Sequence, residues 1–106
     1  MHNPFTPAQW HKLSQLAEEV VTLDGREVTH LLFPNGLGLS IAYQAFNKRS
    51  EDTAELAALK HGCVAYGPLT GDIIPWATFD DTLEAARSLV SANPVDYSWN
   101  MPSLAD

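Results

Sequence analysis

Cations are scarce in this sequence and cysteine is nearly absent. Six Lys and Arg stand against thirteen Asp and Glu, a formal charge of −7 at pH 7 over 106 residues. Direct binding to nucleic acid or to an anionic membrane surface needs clustered cations, and Lys48-Arg49 is a single short step with Lys60 alone beyond it. Neither partner is expected. Cys63 is the only cysteine, which excludes an internal disulfide and any zinc site built on paired thiolates. Long apolar runs are missing too, and nothing approaches the ~20 residues that cross a bilayer. Met1-His2-Asn3-Pro4-Phe5 has neither a cationic stretch nor an apolar core, so no signal peptide is expected and the cytoplasm is the expected compartment.

Glycine motifs that would cradle phosphate are also lacking. In Asn35-Gly36-Leu37-Gly38 the glycines fall between two predicted strands, whereas a phosphate loop must open a helix. Gly67 to Asp72 is too short for a Walker loop, has no Lys-Ser/Thr after it, and carries an acid that would repel phosphate. Nucleotide cofactors are therefore not expected.

What is present is ordinary for a folded chain: 45% apolar and 18% charged residues. A chain of this length buries roughly 65% of the surface that its unfolded form exposes, enough for one domain over residues 1–106 without staples. The first helix is signalled by Thr6-Pro7-Ala8-Gln9, an N-cap, a first-position proline and a capping-box glutamine. Phe5 and Trp10 suit a hydrophobic staple. Trp10, Leu13, Leu16, Ala17, Val20 and Val21 recur at helical spacing, which carries the predicted helix to a stop at Asp24-Gly25.

Asn35-Gly36 predicts a two-residue type I′ hairpin. That turn pairs Leu32 with Leu39, His30 with Ile41 and Val28 with Tyr43. A short helix is predicted next, capped by Ser50 or Asp52, running through Ala54, Leu56, Ala57, Ala58 and Leu59 and ending at Lys60-His61-Gly62. Cys63 to Tyr66 reads as a third strand, Gly67 to Asp72 as a turn, and Ile73 to Trp76 as a fourth strand that Pro75 makes an edge. The last helix begins near Thr78 and buries Phe79, Leu83, Ala86, Leu89 and Val90 before Asn93-Pro94 ends it. Residues 95–106 form a tail in which Val95, Tyr97, Trp99 and Met101 alternate with polar residues.

The expected fold is α+β in the order α-β-β-α-β-β-α. A small, mostly antiparallel sheet of three to four strands carries two to three helices on one face.

His30, His61 and Cys63 are the residues from which a metal site or a nucleophilic pair would have to be built. The spacing supplies neither the second half of a ligand pattern nor an orienting third group, so no metal, cofactor or catalytic residue is expected. Among the acids, Glu51, Asp52, Asp80 and Asp81 suit predicted helix starts, and Asp24 and Asp72 suit turns. Glu18, Glu19, Glu27, Glu55 and Glu84 remain as surface for recognition. A net −7 steers association with a cationic cleft, which predicts a non-enzymatic inhibitor, immunity-type or regulatory protein acting on a basic, nucleic-acid-handling protein partner. Glu18, Glu19, Glu55 and Glu84 are its expected partner-binding carboxylates, with Tyr97 and Trp99 as aromatic anchors. The alternative is a homo-oligomeric structural or accessory subunit, assembled through the C-terminal segment or an edge strand.

Overall fold

Thr6 opens the fold as its capping box predicts. In the computed structural model, which describes residues 5–23, 28–43, 54–68 and 74–99, the Gln9 N–H donates to Thr6 Oγ1 and the Thr6 N–H to Gln9 Oε1. These bonds start α1, Pro7–Ser14. The staple is present: the Phe5 and Trp10 rings meet edge-on at 5.2 Å, and Phe5 also meets Phe79 at 5.7 Å.

Helix α1 stops a full two turns before the sequence expectation. Ser14 Oγ donates to the His11 carbonyl, and the Leu16 and Ala17 N–H groups reach back only three residues, to Leu13 and Ser14. The chain tightens out of the helix there. Glu19–Leu23 is instead a strand, β1. Val20, Val21 and Thr22 are β-branched in succession, and a half-exposed pleated surface suits them better than a helix does. The expectation of helix through Val21 is thereby corrected.

Strand β1 pairs with β2, Val28–Leu32, which pairs with β3, Leu37–Tyr43. The β2–β3 hairpin lies where expected but one residue out of register: Leu31 faces Leu39, His30 faces Ser40 and Val28 faces Ala42. The connection holds three residues, not two. The Gly36 N–H donates to the Phe33 carbonyl, the Phe33 N–H donates to Leu37, and Gly36 takes φ +90°. Pro34 presets the φ that the first central position of a type I turn needs, and Gly36 then supplies the left-handed residue of a bulge. A one-residue slip moves every side chain to the other face, so Leu31 and Thr29 are buried and Leu32 and His30 are not.

The helix predicted over 52–60 is the largest error; its cap lies outside the described residues. Ala54–Lys60 is β4, paired with β3 along its whole length and, on its other edge, with β5 (Cys63–Val64) and β6 (Ile74–Ala77). Ala54, Leu56, Ala57, Ala58 and Leu59 are all buried. A strand enclosed on both faces reads as a continuous apolar run, and here alanine and leucine also mimic a helix. The type I′ turn belongs to this strand's end instead: His61 at φ 52° and Gly62 at φ 82° join Lys60 to its partner Cys63.

The last helix agrees with the sequence. In α2, Phe79–Val90, Thr78 and Asp81 complete a capping box, and Leu83, Ala86 and Leu89 are buried with Thr82 and Ala85. The element order is therefore α followed by six antiparallel strands and a second helix, with sheet order β1-β2-β3-β4-β5 and β6 beside β5 on the edge of β4. The α+β class holds; among the described residues the sheet has six strands where three to four were expected, with two α-helices within the expected two to three.

One polar side chain ties the layers together. Asn35 Nδ2 donates to the carbonyls of Leu89 at 2.8 Å and Ala92 at 3.0 Å, while the Leu37 N–H donates to Asn35 Oδ1 at 3.1 Å. The hairpin tip thus caps the C-terminus of α2, adding a side-chain donor to the Leu89 carbonyl, which also accepts from the Ala92 N–H, and to the Ala92 carbonyl.

Candidate functional site

Cross-strand pairing assigns each sheet residue to a face. Val20, Leu31, Leu39 and Ala58 form one row, and Thr22, Thr29, Ile41 and Leu56 the next. On this face Leu31, Leu39, Ile41, Leu56 and Ala58 share a core with Leu13 of α1 and Leu83, Ala86 and Leu89 of α2. The other face carries the rows Val21–His30–Ser40–Ala57, Glu19–Leu32–Gly38–Leu59–Val64 and Leu23–Val28–Ala42–Glu55. Ala57 and Leu59 are buried there without joining that core. Neither helix packs on this second face.

The two edges of the sheet differ. Beyond β4, the edge is made of a two-residue strand and of β6, which contains Pro75 and an irregular register opposite Ala54 and Leu56. The tail closes it further, because Tyr66 and Ser98 exchange both backbone hydrogen bonds at 2.7 and 3.0 Å. Strand β1 has none of these devices. Its five residues pair with β2 in unbroken register, and among the described residues no strand lies on its outer side. Val20 is 44% exposed and Leu23 40%.

The four expected carboxylates do not form one patch. Glu18 and Glu19 are exposed at the head of β1, where the Glu18 N–H donates to the Leu32 carbonyl at 2.7 Å and ties the corner to β2. Glu55 is half-buried on β4, on the same face as Glu19 but three strands away, roughly 14 Å across the sheet at the usual spacing. Glu84 is exposed on α2, in the helical layer. Only Glu18 and Glu19 are neighbours, by their adjacency in sequence at the head of β1. Glu27 lies outside the described residues.

The aromatic pair is split as well. Tyr97 is 2% exposed and belongs to the core, so its ring closes the domain. Trp99 is half-exposed but pinned: its indole N–H donates to the Lys60 carbonyl at 2.9 Å, and Lys60 Nζ stands 5.3 Å from its ring centroid while donating to the Tyr97 carbonyl at 2.9 Å. The alternating tail is a short 3₁₀ turn over Pro94–Asp96 followed by the bridge at Ser98, and Met101 lies outside the described residues.

His30 sits in the middle of this second face between Val21 and Ser40, and burial holds its pKa below the usual histidine value. His61 and Cys63 are exposed at the β4–β5 turn. Among the described residues no three His, Cys, Asp or Glu side chains gather where a metal ion could be held. In the same residues no helix is long and apolar enough to cross a membrane.

No family model matches this chain, and neither do any curated protein or solved structure. Its function has to be read from its own residues. The feature that sequence reasoning missed is β1 itself, and a signal for it exists: three β-branched residues before Asp24-Gly25, with another β-branched pair, Val28-Thr29, after it, are the pattern of a hairpin.

Proposed function

We propose that this chain is a non-enzymatic acidic binding protein of inhibitor, immunity or regulatory type, acting in the cytoplasm on a basic protein partner. The observation that carries the reading is the corner where Glu18 and Glu19 stand exposed at the head of β1, which among the described residues has no strand on its outer side and leaves Val20 and Leu23 exposed. Paired carboxylates beside exposed apolar surface offer both terms of recognition. The charge of −7 on the whole chain accelerates encounter with a cationic surface, and the local pair orients it.

Capture of a cationic partner at low and at high salt tests the reading, with a Glu18→Gln/Glu19→Gln variant in parallel. Binding that weakens with salt and with the double substitution is expected. A partner held equally well under all four conditions refutes the electrostatic basis.

The open edge also favours a second reading, a homo-oligomeric accessory subunit joined strand to strand. Light scattering over a dilution series separates the two, because a monomer at every concentration removes the oligomer.

A further inference from the structure

We infer that β1 is a strand-addition edge, taking an extended basic segment of a protein partner as a seventh strand of the sheet. The inference deepens the binding reading above and rests on it. A sheet edge presents a row of unpaired N–H and C=O groups, and folded proteins blunt such edges with short strands, prolines, bulges, lysines or covering chain. This sheet uses four of those devices on its far edge: the two-residue β5, Pro75, the irregular pairing of β6, and the tail bridged through Ser98. On β1 it uses none. Glu19-Val20-Val21-Thr22-Leu23 has no proline, no lysine and no bulge, and Val20 and Leu23 remain over one-third exposed.

The chemistry of the added strand follows from the edge. Glu18 and Glu19 put two carboxylates at the head of the edge, and Glu19–Leu23 contains no Lys or Arg. A second copy of this chain would bring the same acids to the same edge between two bodies of charge −7, so charge favours a cationic segment over self-pairing. Alternation then sets the pattern. On the face away from α1 and α2 the incoming strand meets Glu19, Val21 and Leu23, which call for a Lys or Arg and two apolar residues. On the other face it meets Val20 and Thr22, which suit β-branched neighbours. Main-chain bonds would supply affinity and the glutamates the choice of charge.

The test uses the full chain, isotopically labelled for amide NMR, and a synthetic ten-residue probe of alternating Val and Thr with Lys at both ends. Saturable shifts centred on the amides of residues 19–23 are expected, weakening with salt. Two N-methylated versions of the probe, each blocking one alternate set of amides, discriminate backbone pairing from side-chain contact. One of them should bind roughly tenfold more weakly, and so should a probe with Glu in place of Lys. Absence of saturable binding at millimolar probe overturns strand addition, as does a shift pattern centred on Trp99 or on α2; in either case the basic-partner reading stands or falls by its own salt-dependent capture. Equal binding of the Lys and Glu probes at β1 overturns the basic chemistry. A concentration-dependent dimer through β1 that excludes the probe assigns the edge to a second copy and overturns the proposal.

Discussion

Asn35 offers the sharpest test of how this fold is held. Its amide donates to the Leu89 carbonyl at 2.8 Å and the Ala92 carbonyl at 3.0 Å, with the Val90 carbonyl at 3.4 Å sharing one of the two hydrogens. Its own oxygen accepts from the Leu37 N–H at 3.1 Å. Asn35→Ala removes three good hydrogen bonds, each worth about 0.5–1.5 kcal/mol net, but water can reach part of this half-buried site. A loss of about 2–3 kcal/mol is expected on that basis. For a domain of this size each kcal/mol moves the midpoint by about 4–8 °C, so the melting temperature should fall by at least about 8 °C. Asn35→Asp should be worse at neutral pH. It replaces both donors with a carboxylate facing carbonyl oxygens at the negative pole of α2, a further ~0.3–1 kcal/mol. That carboxylate is disfavoured in the folded state, so its folded pKa is raised and protonation favours folding. The additional loss is therefore full at neutral pH and fades as pH falls through the acid range. Urea unfolding followed by tryptophan fluorescence, at neutral and acid pH, measures both variants. An Asn35→Ala variant within about 0.5 kcal/mol of the parent would refute the cap, that being the scatter of ordinary surface substitutions. Equal stability of the two variants at neutral pH would refute its electrostatic part.

Three further outcomes follow from single contacts. A Cβ on Gly67 would run into the Tyr97 ring, so Gly67→Ala should cost about 1–3 kcal/mol and lift the tail, seen as a red shift of Trp99 emission. His61 holds φ 52° in a type I′ turn, and His61→Gly should relieve about 1 kcal/mol of left-handed strain; a lower midpoint in urea would mean that its stacking on Trp99 outweighs the strain. Burial lowers the folded pKa of His30, so its contribution to stability is full above the unfolded value of about 6.5 and is lost as pH falls below it. His30→Gln should flatten that part of the pH–stability curve, and an unchanged slope would sink the assignment.

The elements that were legible from sequence are those whose signals are local. Thr6 with Gln9 and Thr78 with Asp81 make their hydrogen bonds within one turn, so each cap can be read without knowing the rest of the fold. The hairpin was half legible. Asn35-Gly36 marked its place, but Pro34 favoured a type I turn with Gly36 as the bulge, and the added residue moved the register. Strand β4 was not legible at all. Nothing in Ala54–Leu59 prefers a strand, and only β3 on one side with β5 and β6 on the other make it one.

The segment read as helix and the surface argued to bind are the same stretch of chain, and one physical cause connects them. Apolar spacing continues at helical period through Val20 and Val21, so the pattern hides a strand whose existence depends on β2 lying beside it. A helix satisfies its own backbone, and Glu18 and Glu19 on one would be two solvated charges about 100° apart. In the strand the same two acids stand at the head of an edge that no other described strand pairs with and that holds Val20 and Leu23 in the open. The acidic residues were visible from the start. What gives them something to act on is the secondary structure that the apolar pattern concealed.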